Sequence, residues 1–159
     1  MDKKTVNILF HSNLFKNANG EYICKEVFAD YFNKYNTYQI NLISPVNNKK
    51  EFFHTIKLSG TIKVYETPQN ILKKIIFYIK MLKKTEKNLI FMPTFSNALY
   101  CLILVLFRKK YIIYHGIDWS YNEKVNNKSQ SLLGYIRFFL SFSIDNIVSN
   151  KSSFILTAG

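Results

Sequence analysis

Apolar residues recur along the chain in two patterns, short runs typical of buried strands and longer stretches with helical periodicity. The short runs predict strands at residues 5–10, 38–43, 88–92, 111–114 and 154–157, and shorter strand-like pieces at 52–58 and 61–65. The longer stretches predict helices at 21–33, 69–84, 95–107 and 130–150. Strands that alternate with helices of this length predict an α/β fold, a Rossmann-like, doubly wound, mainly parallel sheet with helices on both faces.

The length of the chain suits one domain covering residues 1–159, large enough to bury roughly 70% of its unfolded surface. Cys24 and Cys101 have no short spacing, which indicates reduced, partly buried thiols in a cytoplasmic protein. No secretory signal pattern is visible, and the longest apolar stretch, residues 98–107, is well below the roughly 20 residues that span a bilayer. The sequence therefore does not predict an integral membrane protein.

The net charge of +12 comes almost entirely from lysine, since arginine occurs only at positions 108 and 137. Base readout favours arginine, so sequence-specific nucleic-acid binding is not expected. Five lysines lie on the amphipathic helix predicted at 69–84: Lys73, Lys74, Lys80, Lys83 and Lys84. They are consistent with attachment to an anionic membrane surface, at the inner face of the cell membrane. The alternative, which we favour slightly, is a core helix whose lysines simply face solvent.

The strand predicted at 111–114 runs directly into His115, which is followed by Gly116, Asp118 and Trp119. In an open parallel sheet ligands bind at the carboxyl ends of the strands. A histidine there can hydrogen-bond a hydroxyl group or act as a base near neutral pH. Gly116 lets the backbone approach a ligand, Asp118 can orient His115 or cap a turn, and Trp119 can stack on a sugar ring or serve packing. The run predicts a polar site, with a purely structural role about equally favoured.

Two further segments belong to the same prediction. His11 and Ser12 follow the first strand at the same sheet edge and can face the same crevice. In the next loop, Asn19 is placed to cap the first helix, and Gly20 lets the loop pass close to a ligand, or forms an ordinary turn. His54 is interpreted as a structural residue within a strand.

The sequence lacks the motifs of several common kinds of binding and catalytic site. The loop after the first strand has no G-x-G-x-x-G pattern, so a bound dinucleotide is not expected. The histidines and cysteines have no zinc-ligand spacing, so no metal site is predicted. Neither a G-x-S-x-G elbow nor a Cys/His signature supports hydrolysis.

Taken together, these segments resemble a known family. Their order along the chain is similar to that in the N-terminal, acceptor-side domain of family 4 glycosyltransferases of the GT-B fold. The segments are the strand ending at residues 8–10, the loop ending at Gly20, the strand at 88–92, the run Tyr-His-Gly-Ile-Asp-Trp at 114–119 and the strand at 154–158. Members of this family build bacterial capsular, cell-wall or lipopolysaccharide glycans. The resemblance extends over essentially the full chain.

The resemblance implies transfer of a sugar from a nucleotide-sugar donor, used as a co-substrate, to a glycan or polyprenyl-linked acceptor, with no tightly bound cofactor and no metal. It also implies that Gly20 lines the cleft near the donor phosphates and that His115 faces the transferred sugar and the acceptor. Two departures stand out, because Gly20 replaces the usual glycine pair and no C-terminal donor-binding domain follows Gly159. We therefore expect the chain to be inactive by itself, as a fragment or as one subunit of a split, membrane-associated transferase.

Whether the chain is an enzyme stays open at this point. The competing hypothesis is a non-catalytic α/β interaction module that uses the same crevice or the basic surface to bind a partner.

Overall fold

The computed structural model describes residues 4–10, 14–34, 37–47, 54–91, 98–115 and 132–157. Its centre is a six-stranded, all-parallel sheet with the strand order β10-β9-β8-β1-β4-β7. The strands are β1 (Lys4–Phe10), β4 (Tyr38–Ser44), β7 (Ile62–Glu66), β8 (Asn88–Phe91), β9 (Tyr111–His115) and β10 (Phe154–Thr157). The predicted Rossmann-like, doubly wound α/β fold is confirmed.

The helices are α1 (Glu26–Lys34), α2 (Ile71–Leu82), α3 (Ala98–Leu106) and α4 (Leu132–Lys151). Side chains of α2, α3 and α4 share a core with one face of the sheet, including Leu9, Ile43, Ile90 and Ile113. Helix α1 packs on the opposite face. Since apolar side chains point to both faces of each central strand, helices are needed on both.

Aromatic rings hold α1 against its face of the sheet. The Phe10 ring lies 5.0 Å from that of Phe28 and 5.2 Å from that of Phe32, both edge to face. Phe91 and Tyr114, on neighbouring strands, stack with centroids 4.7 Å apart. Such pairs contribute about 0.5–1.5 kcal/mol each beyond the apolar area they bury.

A second, four-stranded sheet lies between β1 and β7 in the chain, with the order β5-β2-β3-β6. Its strands are β2 (Leu14–Lys16), β3 (Tyr22–Lys25), β5 (Val46–Asn47) and β6 (Thr55–Lys57). The helix predicted at 21–33 is therefore wrong at its start, because residues 22–25 pair with β2 and β6 before α1 begins at Glu26. Val27 on α1 is 68% exposed, since the side of the helix that packs on the sheet is formed by other residues, among them Ala29 and Phe32.

A chain of buried asparagines crosses the large sheet beneath α2 and α3. Asn7 stands in register with Asn41 on β4 and with Asn88 on β8. Asn41 donates to the Asn7 Oδ1 atom at 3.0 Å, and the Asn7 amide donates to the Met81 carbonyl at 2.9 Å. The Tyr100 hydroxyl donates to Asn88 Oδ1 at 2.9 Å. These bonds satisfy polar groups that burial would otherwise leave unpaired, and they connect three strands to two helices.

The other helices and the strands of the large sheet begin and end within three residues of their predicted bounds, whereas β2 and β5 lie where no strand is predicted. Helix α2 begins two residues later than predicted because Asn70 caps it, with its Oδ1 accepting from the backbone nitrogens of Leu72 at 3.0 Å and Lys73 at 3.1 Å. His54 lies just before β6 rather than within a strand, is exposed, and its carbonyl accepts from the Glu26 nitrogen at the start of α1.

Candidate functional site

The chain reverses its direction of winding at the β1–β8 boundary. From β1 it proceeds outward to β4 and β7, then crosses to β8 and proceeds outward to β9 and β10. In open α/β sheets this switch point, at the carboxyl ends of the strands, is where ligands bind. The fold therefore defines a candidate site at the ends of β1, β8 and β9.

His115 is the last residue of β9, and β9 lies directly beside β8. Its main chain is in register with Thr157 on β10. Because neighbouring strands are about 4.8 Å apart, the ends of β1 and β9 are separated by roughly 10 Å. The prediction that these two strands end at one edge is confirmed. His11, Ser12, Gly116, Asp118 and Trp119 lie outside the described residues.

Gly20 and Asn19 occupy the turn of the β2–β3 hairpin and not the start of a helix. Asn17 forms this turn, because its Oδ1 accepts from the backbone nitrogens of Asn19 at 3.0 Å and Glu21 at 2.9 Å. Gly20 has a φ of +76°, a conformation that favours glycine. The prediction that Asn19 caps the first helix is therefore wrong, since four residues of β3 separate the turn from α1.

A polar cluster at the end of the edge strand β7 has no counterpart among the predicted residues. The Glu66 carboxylate accepts from the Lys16 ammonium at 2.8 Å and from the Tyr22 hydroxyl at 2.7 Å. These hydrogen bonds, the one from Lys16 first, lower the pKa of Glu66 below its ordinary value. Its partners come from β2 and β3, which the sequence analysis did not predict. The only signal in the sequence is a glutamate directly after the strand at 61–65.

A second ion pair ties the same hairpin to β6. Lys57 donates to the Glu21 carboxylate, and Asn17 donates to the other oxygen of that carboxylate at 2.9 Å. The hydrogen bond from Lys57 is the main cause that lowers the pKa of Glu21. The pair between Lys16 and Glu66 thus joins the small sheet to the large one, whereas the pair between Lys57 and Glu21 lies within the small sheet.

The lysines of α2 flank an outward face that is partly apolar. Lys73, Lys80, Lys83 and Lys84 are exposed and Lys74 is half-buried. Leu72 and Ile76 are 67% and 55% exposed on the same helix, whereas Tyr78, Met81 and Leu82 are buried. Lys84 stacks its ammonium 3.9 Å from the centre of the Tyr65 ring. Helix α2 is thus a core helix that also presents apolar and basic side chains together.

The thiols are buried, as predicted. Burial raises the pKa of Cys24 to about 12 and raises that of Cys101 further, so both are protonated at neutral pH. Within the described parts of the chain no group of histidine, cysteine and acidic side chains is arranged to hold a metal ion. None of the helices described is both long and apolar enough to cross a bilayer.

A groove lies on the α1 face of the large sheet, at the end opposite to His115. Its volume is about 570 Å³, and five parallel strands contribute to its lining. Its floor is formed by aliphatic side chains, among them Val6, Ile8, Ile40, Leu89 and Ile112. Sequence reasoning missed this groove, because only the strand order places these residues side by side.

Comparison with models of known protein families gave no match to the chain. Comparison with curated proteins gave no match either. The functional argument therefore rests on the residues and the fold.

Proposed function

We propose that the chain is the acceptor-side domain of a glycosyltransferase of the GT-B type, resembling family 4. In this proposal it contributes to transfer of a sugar from a nucleotide-sugar donor to a glycan or lipid-linked acceptor in surface polysaccharide biosynthesis. The observation that carries the proposal is the position of the His-Gly-Ile-Asp-Trp run, which begins at the carboxyl end of β9, one strand away from the β1–β8 switch point.

The chemistry proposed for this edge is glycosyl transfer. The acceptor oxygen forms a bond to the anomeric carbon of the sugar while the bond from that carbon to the donor diphosphate breaks. The nucleoside diphosphate leaves, and one of its phosphate oxygens takes the proton of the acceptor hydroxyl. His115 is assigned to hydrogen-bond a hydroxyl of the transferred sugar or the acceptor. The nucleotide-sugar is a co-substrate, held in part by a second, donor-binding domain or polypeptide.

The position of Gly20 supports a contact with the donor phosphates less well than the position of His115 supports recognition of the sugar. The hairpin places it between β2 and β3, where its positive φ serves the turn. A helix N-terminus, which would favour a phosphate, begins six residues later at Glu26. The proposal therefore assigns sugar recognition to His115 and leaves Gly20 a structural role.

The test compares lipid-linked acceptors with and without a sugar. The purified chain is titrated with a polyprenyl diphosphate sugar and with the same polyprenyl diphosphate lacking the sugar. We expect the sugar to tighten binding by about tenfold, which is about 1.4 kcal/mol. His115→Ala should abolish this difference and leave the fold intact by circular dichroism.

His54→Ala is the matched control, because His54 is exposed and lies before β6, away from the end of β9. This variant should keep the full contribution of the sugar. Equal affinity of the native chain for both lipids, or an unchanged difference in His115→Ala, would contradict the proposal.

One observation favours the alternative of an interaction module. Ile136 and Leu140, one helical turn apart on α4, are 47% and 49% exposed. Exposed apolar groups that lie near each other are typical of protein interfaces. Under this alternative the titration described above shows no contribution from the sugar.

A peripheral membrane location is part of the proposal. Leu72 and Ile76 are exposed beside lysines of α2, the combination by which interfacial helices bind anionic bilayers.

A further inference from the structure

The groove on the α1 face is an apolar space that lies at the amino ends of the strands. The residues that open it are the first or second of their strands, such as Tyr38 on β4 and Phe154 on β10. Tyr31 of α1 closes it on the other side, with its ring 5.3 Å from that of Phe91. The volume of about 570 Å³ lies within the 300–1,000 Å³ typical of small-molecule sites.

The floor of the groove is almost entirely hydrocarbon. Registered positions on neighbouring strands point to one face, so Ile8 and Leu89 lie side by side, as do Leu89 and Ile112. Leu156 extends this surface onto β10, where it is 51% exposed. An apolar chain laid across the strands would cover side chains that otherwise contact water, which is favourable by about 25 cal/mol per Å² of apolar surface.

The mouth of the groove is basic. Lys87 and Lys110 line it and are exposed, and Glu86 is the single carboxylate in the lining. Neither lysine forms an ion pair with a described carboxylate. Lys87 instead places its ammonium 5.6 Å from the centre of the Tyr38 ring, at the rim.

This mouth is part of a wider basic edge. Lysines lie along this edge at the ends of helices and in the connections that lead from α2 to β8 and from α3 to β9: Lys34, Lys83, Lys84, Lys87, Lys109, Lys110 and Lys151. Among the described residues of these connections, Glu86 is the one carboxylate. Lysines at the ends of helices also complement the helix dipole, but Lys87 and Lys110 directly precede strands and lie outside that role.

The backbone at the mouth is held firmly. The Asn88 amide lies 3.3 Å from the Glu86 carbonyl and 3.4 Å from the Lys110 carbonyl, and donates to both. The Asn7 nitrogen donates to the Lys87 carbonyl at 2.9 Å. Both lysines therefore extend from fixed backbone positions at the amino ends of the neighbouring strands β8 and β9, which pre-organises them for an anion.

We infer that the groove binds an anionic amphiphile, with its apolar chain across β1, β8, β9 and β10 and its acidic headgroup between Lys87 and Lys110. The inference is independent of the proposed glycosyl transfer, since the groove opens at the amino edge of the sheet and His115 lies at the carboxyl edge. The ligand class is a single hydrocarbon chain that ends in a phosphate or a carboxylate.

The test uses decyl phosphate below its micellar concentration, titrated into the full chain by calorimetry. Inorganic phosphate supplies the charge without the chain, decanol the chain without the charge, and decyltrimethylammonium the opposite charge. We expect saturable binding of decyl phosphate, with decanol and the cation each about tenfold weaker and no heat from inorganic phosphate.

Two matched pairs of variants locate the site. Leu156→Trp fills the groove and should weaken decyl phosphate binding about tenfold, whereas Ile155→Trp, on the same strand with 46% exposure but on the other face, should not. Lys87→Glu with Lys110→Glu should weaken it similarly, whereas Lys63→Glu with Lys25→Glu, both exposed and outside the lining, should not.

Three outcomes overturn the inference. They are equal binding of decyl phosphate and decanol, equal effects of the two tryptophan variants, and binding of the chain to anionic vesicles without any binding of monomeric decyl phosphate. The last outcome would indicate adsorption through the outer face of α2. None of these outcomes changes the expected tightening of lipid binding by the sugar, or its loss in His115→Ala. Each of the two proposals can therefore be contradicted without the other.

Discussion

At the scale of single residues, polar side chains in apolar strands do the most to define this structure. Asn7 interrupts an otherwise apolar run in the first strand. In the fold it is 1% exposed and joins Asn41 to the Met81 carbonyl. Its role could not be predicted because its partners are 34 and 74 residues away.

Asn7→Ala should therefore destabilise the protein strongly. The substitution leaves the Asn41 amide and the Met81 carbonyl without this partner, at a cost of about 2–3 kcal/mol in the free energy of unfolding. Urea denaturation measures it. Asn19→Ala, at an exposed turn position, is the control and should change stability by less than about 0.5 kcal/mol. Similar losses in the two variants would show that the buried network does not stabilise the fold.

Gly20→Ala tests the structural role of the glycine in the β2–β3 turn. A Cβ atom there meets nothing within 4 Å, so the only cost is the positive φ of 76°. We expect a loss of about 1 kcal/mol in the free energy of unfolding. Gly60 also has open space and no positive φ, so Gly60→Ala should be close to neutral. A neutral Gly20→Ala would mean that the turn adopts another conformation in solution.

At the scale of elements, the long periodic segments were predictable and the small sheet was not. Strands β1, β4, β8 and β9 carry apolar runs, so their burial on two faces is visible in the sequence. Residues 22–25 have the apolar residues of a helix face, yet pairing with β2 and β6 takes them into a strand. Tertiary pairing overrides local preference most easily in segments this short.

Helix α2 carries the prediction that belongs to this scale. If its outer face lies on anionic bilayers, Lys73, Lys74, Lys83 and Lys84 each contribute about 1 kcal/mol near the surface. Changing all four to Glu should therefore reduce co-sedimentation with anionic vesicles about tenfold or more. Leu72→Gln with Ile76→Gln should reduce it as well, because both side chains are exposed.

Val27→Gln provides the control for the apolar part of that surface. Val27 is 68% exposed but lies on α1, on the other face of the sheet. This variant should sediment with vesicles like the native chain. If the α2 variants also sediment like the native chain, the lysines of α2 are simply the solvent-exposed side of a core helix.

At the scale of the whole molecule, the two edges of the large sheet have different character. The switch point of the fold lies at the carboxyl edge, which also carries the end of β9 and the ion-paired Glu66. The amino edge carries lysines from the ends of helices and from two helix-to-strand connections, together with an apolar groove. Much of the net charge of +12 is therefore concentrated at one edge, which composition alone does not reveal.

The sequence by itself determined the fold class and the edge at which His115 lies. Apolar periodicity is a local property, and parallel strands joined by helices must end at a common edge. The tertiary structure decided the asparagine network, the hairpin that contains Gly20, and the groove with its two lysines. Each of these depends on strand order and register, which bring together residues that are distant in the chain and that no local pattern connects.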